Sequence, residues 1–161
     1  MTGSTVRRAV PADVPALVAL VYDLAEYEKA RHECTLTAEQ LHAALFGQAP
    51  ALFAHVATLD GEVVGCAIWF LNYSTWDGVH GIYLEDLYVT PQTRGTGLGK
   101  ALIAALAEEA VRNGYSRVSW SVLTWNTPSI DFYEAIGADA QDDWVGYRLS
   151  GTALTALAEH R

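Results

Sequence analysis

A glycine-rich turn places the tightest constraint on the fold of this chain. The segment Arg94-Gly95-Thr96-Gly97-Leu98-Gly99-Lys100 lies directly between a stretch with strand character and the longest amphipathic helical pattern in the sequence. The start of a helix leaves several backbone N–H groups unpaired and carries partial positive charge, and glycines let a phosphate approach those groups closely. The turn therefore predicts a pyrophosphate cradle at a strand-to-helix junction.

Two familiar phosphate-binding motifs do not fit the spacing of this turn. A P-loop would need glycine in place of Arg94 and serine or threonine in place of Ala101. A dinucleotide-binding fingerprint that starts at Gly95 would need glycine in place of Lys100. The pattern that fits is Arg-x-x-Gly-x-Gly, beginning at Arg94. A loop that only reverses the chain is the simpler alternative.

The rest of the chain alternates helix and strand signals, which predicts one mixed α/β domain over residues 1–161. Asp60 and Gly61 are expected to form a two-residue hairpin turn, and Thr37 with Gln40 a capping box. Helices are predicted at 14–25 with Asp13 as cap, from 37 to 45, at 98–112, from 127 to 137 and at the C-terminus; strands are predicted at 51–59, 63–71, 82–89, 117–123 and 144–149.

Composition narrows the classes of function. The net charge of -9 disfavours nucleic acid as a partner and favours a small cationic molecule. The sequence has no apolar run long enough to span a membrane, and we expect a cytoplasmic protein without membrane association. Cys34 and Cys66 are far apart and have no Cys or His at ligand spacing, so neither a disulfide framework nor a metal site is expected.

Several stretches, in order along most of the chain, resemble one family. They are Leu24-Ala25-Glu26-Tyr27-Glu28, Tyr73-Ser74-Thr75-Trp76, Tyr83-Leu84-Glu85-Asp86-Leu87-Tyr88-Val89, the glycine-rich turn, and Trp125-Asn126-Thr127-Pro128-Ser129-Ile130-Asp131-Phe132-Tyr133. The turn resembles the coenzyme A pyrophosphate motif of the GNAT superfamily of N-acetyltransferases. Together the stretches resemble the spermidine/spermine N-acetyltransferase family, including its thialysine-acetyltransferase branch.

The resemblance implies a GNAT-type fold and acetyl-CoA as the acetyl donor. Such a fold has a central, mostly antiparallel twisted sheet with a splayed strand pair that binds the coenzyme, flanked by helices. A homodimer with the C-terminal strand near its interface is implied as well. The residues implied in coenzyme binding are Leu87, Tyr88 and Val89 for the pantetheine arm, Arg94, Gly95, Thr96, Gly97, Leu98, Gly99 and Lys100 for the pyrophosphate, and Asn126, Ser129 and Tyr133.

The resemblance also implies a substrate site. Tyr133 would be the general acid, and Glu85 would bind the amine and help to deprotonate it. The residues implied in substrate binding are Tyr27, Glu28, Trp76, Glu85, Ser119, Trp120 and Ser121. The chain departs from the polyamine enzymes after Glu28, since Lys29, Arg31 and His32 stand where those enzymes continue with acidic residues.

The chemistry of amine acetylation explains why these residue types are needed. An alkylamine has a pKa near 10, so roughly one molecule in a thousand is neutral at pH 7 and a base must remove the proton. Glu85 lies within an apolar strand, where desolvation would suit it to that task, although a structural ion pair is the alternative. If the strand is regular, Asp86 is expected to point to the face opposite to that of Glu85, where it would have a structural role. A phenol such as that of Tyr133 can protonate the departing thiolate.

The sequence leaves the substrate open. Without an activated cysteine, direct transfer within a ternary complex is expected. The acceptor is expected to be a polyamine, a diamine or a lysine-like or thialysine-like amino acid. An aminoglycoside or a protein amine is an alternative, and so is a coenzyme-binding domain without catalysis. The presence of both Glu85 and Tyr133 favours an enzyme, because a binding domain needs neither.

Overall fold

The computed structural model describes residues 3–160, which form a five-stranded sheet and five α-helices. The strands are β1 (Ser4–Arg8), β2 (Phe53–Leu59), β3 (Glu62–Ser74), β4 (Val79–Val89) and β5 (Val118–Ser119), and the helices are α1 (Val14–Tyr27), α2 (Ala38–Phe46), α3 (Leu98–Asn113), α4 (Thr127–Ala135) and α5 (Gly151–Ala158). The chain divides into two compact units, one ending at Trp125 and one beginning at Asn126. The whole sheet belongs to the first unit.

The strands follow one another across the sheet in chain order. The three pairs from β1 to β4 are antiparallel, and only β4 and β5 are parallel. Asp60 and Gly61 join β2 to β3 with φ values of 50° and 85°, as a primed hairpin turn requires. The predicted mixed α/β class with a mostly antiparallel sheet is confirmed.

One face of the sheet packs against α1 and α2. Leu17 and Leu20 of α1 and Leu41 of α2 are buried over Val56 and Ile68 of the sheet. The apolar residues of α1 recur at helical spacing, so a single side of the helix meets the sheet. The predicted capping box of α2 is present: the Thr37 hydroxyl accepts from the Gln40 N–H at 3.1 Å, and the Gln40 amide oxygen accepts from the Thr37 N–H at 3.0 Å.

Asp13 does not cap α1 through its side chain, contrary to the sequence prediction. Its carboxylate instead accepts two hydrogen bonds from Arg7, at 2.7 and 3.1 Å, and one from the Val10 N–H at 2.8 Å. These bonds close the loop between β1 and α1. The hydrogen bonds from Arg7 outweigh the effect of burial and hold the pKa of Asp13 below its usual value.

The opposite face of the sheet packs against α3, whose Leu102 and Leu106 are completely buried. A polar group lies at the end of this interface: Glu109 is 5% exposed and pairs with both Arg8 and Arg112. Since β1 supplies Arg8 and α3 supplies Glu109, this cluster joins residues a hundred positions apart. A buried carboxylate is tolerated here because two guanidinium groups compensate its charge.

Four strand predictions need correction. The paired part of β5 is two residues long, not the predicted 117–123, because it leaves β4 after Ser119. β3 extends past its predicted end at residue 71 to Ser74. β4 begins at Val79, before its predicted start at residue 82. Residues 144–149 form no strand, and Trp144, Val145 and Tyr147 are 74%, 78% and 96% exposed. An apolar stretch becomes a strand only beside a partner, and the second unit contains no other strand among its described residues.

Candidate active site

The glycine-rich turn has the geometry of an anion cradle. Gly95 and Gly97 have φ values of 82° and 85°, and no atom lies within 4 Å of the position that a Cβ would occupy at either residue. The first hydrogen bond within α3 runs from the Ala101 N–H to the Gly97 carbonyl at 2.9 Å. The backbone N–H groups of residues 98–100 precede that bond, so they are directed toward the open loop. These features fit a pyrophosphate.

Three threonines shape this loop, and the sequence analysis singled out Thr96 but missed Thr90 and Thr93. Thr93 is 7% exposed, and its hydroxyl donates to the Thr90 carbonyl at 3.0 Å. The hydroxyl of Thr96 donates to the Thr93 carbonyl at 2.5 Å. Short polar side chains bonded to nearby backbone groups are typical of turns. The loop is therefore held in shape by its own side chains as well as by its glycines.

Substitution of Gly97 by alanine tests the cradle. A Cβ at a φ of 85° strains the backbone by about 1–2 kcal/mol, and it would occupy space beside the N–H groups of α3. We expect Gly97→Ala to weaken acetyl-CoA binding about tenfold, as measured by calorimetry. Gly114→Ala, at a φ of 74° beyond the other end of α3, is the matched control. An equal loss of affinity in both variants would contradict a role of this loop in binding.

A β-bulge in β4 determines where its two acidic residues point. Leu84 pairs with Trp69 and Asp86 pairs with the adjacent Ile68, so Glu85 has no partner residue in β3. Directly opposed residues share a face, and successive residues of β3 alternate between faces. The bulge therefore places Asp86 on the face of Ile68, beneath α1, rather than on the face of Leu84. Glu85 itself is exposed at the bulge.

These positions differ from the sequence expectation, which placed the desolvated carboxylate at Glu85. The extra residue of a bulge is left out of the ladder and bends outward, and this explains the exposure of Glu85. Burial, together with the charges of Glu85 and Glu28, raises the pKa of Asp86 to about 6. Burial also raises the pKa of Glu28, at the end of α1. The structure thus brings two partly desolvated carboxylates, Asp86 and Glu28, to one region.

Beyond the bulge, β4 has an open edge. The parallel pairing with β5 is limited to Ile82 with Val118 and Tyr83 with Ser119, and no later pair joins these two strands among the described residues. The backbone of residues 87–89 is bonded to β3 on its other side. This divergence is the splayed strand pair that the resemblance implied. It leaves backbone groups of β4 available beside the glycine-rich turn.

Rings and cations form a continuous row between the end of α1 and the glycine-rich turn. The Lys29 ammonium lies 4.5 Å from the ring centre of Trp125, which lies 5.9 Å from that of Tyr27. The Arg94 guanidinium follows, 5.3 Å from both the Tyr27 and the Tyr88 ring centres. We call these five residues the ring–cation stack. It links Tyr27, a predicted substrate residue, to Arg94 of the predicted pyrophosphate loop.

The other predicted substrate residues are placed differently. Ser119 lies in the short parallel pairing, and the Ser121 hydroxyl is 3.0 Å from the Tyr83 hydroxyl, so this segment begins beside the bulge. Trp120 lies between these two serines in the sequence and is half-buried. Trp76 is 92% exposed at the tip of the β3–β4 hairpin. Six residues of β4 separate the hairpin from Glu85, about 20 Å of strand, so the chain does not bring Trp76 to the bulge.

The second unit carries three of the predicted coenzyme residues. The Asn126 side chain is 5% exposed and caps α4, accepting from the Ser129 N–H at 3.4 Å. Tyr133 lies in α4, half-buried beside Phe132 at 5.5 Å between ring centres. Asn126 is a preferred N-cap residue and Pro128 suits the first turn, which explains why the helix begins here.

No group of three or more His, Cys, Asp or Glu side chains within residues 3–160 could hold a metal ion. No helix in the same range is long and apolar enough to cross a membrane. Cys66 is fully buried, and burial, together with the charge of Asp86, raises the pKa of its thiol.

A sheet that splays open beside a glycine-rich helix start defines a coenzyme-binding α/β transferase. The acetyltransferase (GNAT) family matches residues 18–138, and the chain belongs to this family. The match runs from the first compact unit into the second. Members of this family transfer acetyl groups from acetyl-CoA, so the chain is an acetyltransferase.

Individual relatives refine this assignment. Thialysine N-epsilon-acetyltransferase of Bos taurus is 37% identical, with 95% of this chain and 96% of that protein covered. L-ornithine N5-acetyltransferase of Arabidopsis thaliana is 29% identical, with 96% and 87% covered. An aminoglycoside N-acetyltransferase solved in complex with CoA has the same fold, with a TM-score of 0.72, 22% identity, and 92% and 95% of the two chains covered. The predicted resemblance to the thialysine branch and the predicted N-acetyltransferase activity are confirmed.

Proposed function

We propose that this enzyme acetylates a primary amine of a small cationic substrate by direct transfer from acetyl-CoA. The observation that carries the proposal is that Asp86 in β4 and Glu28 at the end of α1 are near enough for their charges to repel each other, next to the open edge of β4. Two carboxylates in a partly desolvated region attract an ammonium group. The names of the thialysine and ornithine enzymes support an amine that belongs to an amino acid.

The coenzyme is proposed to lie along the open edge of β4 and the start of α3. Residues 87–89 would pair with its pantetheine arm through their backbone, and residues 94–100 would hold its pyrophosphate. Arg94 and Lys100 add positive charge to that loop. Asn126, Ser129 and Tyr133 complete the proposed coenzyme contacts. This arrangement is supported by the splay of β5 and by the left-handed glycines at 95 and 97.

We propose that acetyl transfer is a single displacement. The lone pair of the neutral amine attacks the thioester carbonyl carbon, a C–N bond forms and the C–S bond breaks. Glu85, exposed at the bulge, takes the proton that the ammonium loses, directly or through water. Tyr133 gives its phenolic proton to the sulfur, which leaves with the electron pair of the broken bond, and the second proton that the nitrogen loses as the amide forms restores the phenol of Tyr133. Backbone N–H groups of β4 near Leu87 polarise the carbonyl oxygen.

The substrate would occupy the region between α1 and the start of β5. Tyr27 and Glu28 are proposed to contact the amine, with residues 119–121 on the other side. Asp86, which the sequence analysis treated as structural, is added to this set because the bulge turns it toward α1. Trp76 stays a proposed substrate residue without support from its position in the chain.

A homodimer is proposed for the assembled enzyme. Residues 144–149 have the composition of a strand but lack a strand partner among the described residues, and they expose four large apolar side chains. An exposed apolar patch of this kind is typical of an interface. We propose that a second copy supplies the partner for this segment. A single N-acetyltransferase domain over residues 1–161 and a cytoplasmic location also stay proposals.

The experiment is thiol release from acetyl-CoA in the presence of a panel of amines. The panel contains thialysine, lysine, ornithine, putrescine, spermidine, spermine and an aminoglycoside. We expect acceleration by the small aliphatic amines above the rate of hydrolysis alone. Acceleration by the aminoglycoside only would assign that substrate class instead. No acceleration, with acetyl-CoA still raising the melting temperature, would leave a protein substrate or a non-catalytic binding domain.

A further inference from the structure

Most basic side chains of the described chain are paired with carboxylates, and three of the four exceptions lie in or beside the proposed coenzyme and substrate sites. Among residues 3–160, the basic side chains that pair with an acidic one are Arg7, Arg8, Arg31, Arg112 and Arg117. Within the same range, Lys29, Arg94, Lys100 and Arg148 have no carboxylate partner. Arg94 and Lys100 belong to the proposed pyrophosphate loop, where an anion is expected. Lys29 stands directly beside the proposed substrate residues Tyr27 and Glu28.

Both the backbone and the side chain of Lys29 make specific contacts. Its backbone is left-handed, with a φ of 63°, and its N–H donates to the Glu26 carbonyl at 3.0 Å. A lysine in this conformation is unusual, since glycine or asparagine is preferred after a helix. The side chain then turns onto the Trp125 ring, with the ammonium 4.5 Å from the ring centre. The ammonium stays exposed at the outer end of the ring–cation stack.

Charge is therefore divided between two ends of the substrate region in the first unit. Glu28 and Asp86 lie at the inner end, near the open edge of β4, and a positive charge without a carboxylate partner lies at the outer end. The neighbouring Arg31 contributes less positive charge to the outer end than Lys29 does, because Arg31 forms an ion pair with Glu26 at 3.2 Å. A substrate that carries an ammonium at one end and a carboxylate at the other matches this division.

We propose that Lys29 is a specificity-determining residue that binds the carboxylate of an amino acid whose distal amine is acetylated. The inference rests on the proposed function, since it assumes that a primary amine enters the inner end. It predicts a preference for amino acids over the diamines that result from their decarboxylation. Polyamines are disfavoured by the same charge, because their second ammonium group would approach Lys29.

Charge changes at Lys29 with paired substrates test this proposal. The pairs are lysine with cadaverine and ornithine with putrescine, which differ in the carboxylate alone. The measured quantity is the ratio of kcat/KM for the amino acid to that for its diamine. We expect Lys29→Gln to lower the ratio about fivefold, the scale of an exposed charge pair, and Lys29→Glu to lower it about twentyfold.

Arg31→Gln is the matched control, since it removes the same charge two residues away from a side chain that already has a carboxylate partner. Its ratio is expected to stay within a factor of two of the wild-type value, the margin left for long-range charge effects. Melting temperatures of all variants establish that they fold. If Lys29→Glu does not fold, Lys29→Gln carries the test by itself, because it removes the positive charge and keeps a polar, unbranched side chain.

The outcomes separate the inference from the function on which it rests. An unchanged ratio in a folded Lys29 variant that still acetylates amines would overturn the inference and leave the proposed function standing. A raised KM for acetyl-CoA with an unchanged ratio would overturn it as well, by assigning Lys29 to a coenzyme phosphate. If the wild-type enzyme acetylates no small aliphatic amine of the panel and no member of either pair, both the inference and the small-amine function fall.

Discussion

Tyr133→Phe is expected to lower kcat for amine acetylation about a hundredfold, the scale of a general acid. The substitution removes one oxygen and keeps the ring that lies beside Phe132 in α4. Without the phenolic proton, sulfur must leave as a free thiolate, so the chemical step slows while coenzyme binding is retained. Steady-state kinetics and calorimetric titration with acetyl-CoA measure the two quantities separately.

Tyr147→Phe is the control for this substitution. Tyr147 is 96% exposed, and it lies outside all the proposed contacts. Its kcat is expected to equal that of the wild-type enzyme. If Tyr133→Phe also retains full activity, the proposed proton donor is wrong, although the transfer reaction itself is unaffected by that result.

Asp86→Asn is expected to stabilise the protein at pH 7.5 and to reduce its activity. The raised pKa of Asp86, about 6 against 3.8, means that the folded chain holds this proton up to a higher pH than the unfolded chain does. Folding stability therefore falls as the pH rises through this window, by up to about 3 kcal/mol. An amide carries no charge and escapes this loss, but it cannot attract an ammonium group as strongly.

Denaturant unfolding at several pH values measures the effect. The gain in the free energy of unfolding of Asp86→Asn is expected to be full above pH 6 and to vanish below about pH 4, where the wild-type carboxyl is protonated in both states. Glu85→Gln provides the comparison: it removes the repulsion between Glu85 and Asp86 but leaves Asp86 buried, so a smaller gain in the free energy of unfolding is expected. An Asp86→Asn variant less stable than the wild type at pH 7.5 would contradict the burial of an uncompensated charge.

Much of the fold was predictable because local signals agree with the tertiary structure. The capping box at Thr37, the Asp60–Gly61 turn and the left-handed glycines at 95 and 97 each act within a few residues. Their chemistry is visible in the sequence alone. The proposed pyrophosphate loop was singled out for the same reason, since it needs only a strand, a glycine-rich turn and a helix in succession.

The remaining features depend on residues far apart in the sequence. The bulge that turns Asp86 toward α1 is created by its register against Ile68 and Trp69, so a regular alternation within β4 predicted the wrong face. The contact of Lys29 with Trp125 joins residues 96 positions apart. The strand predicted at 144–149 failed because strand formation requires a partner, which sequence alternation cannot supply.

The simple order of the sheet also determines which surfaces a nascent chain exposes. β1 to β4 each pair with a neighbour in the sequence, so they can assemble with α1 and α2 as soon as Val89 leaves the ribosome. The face that carries Trp69 stays uncovered until α3 has been synthesised, because Leu102 and Leu106 of α3 cover it. Until then, this apolar face of a half-built sheet is exposed to solvent, and a pause in translation before residue 113 would prolong its exposure.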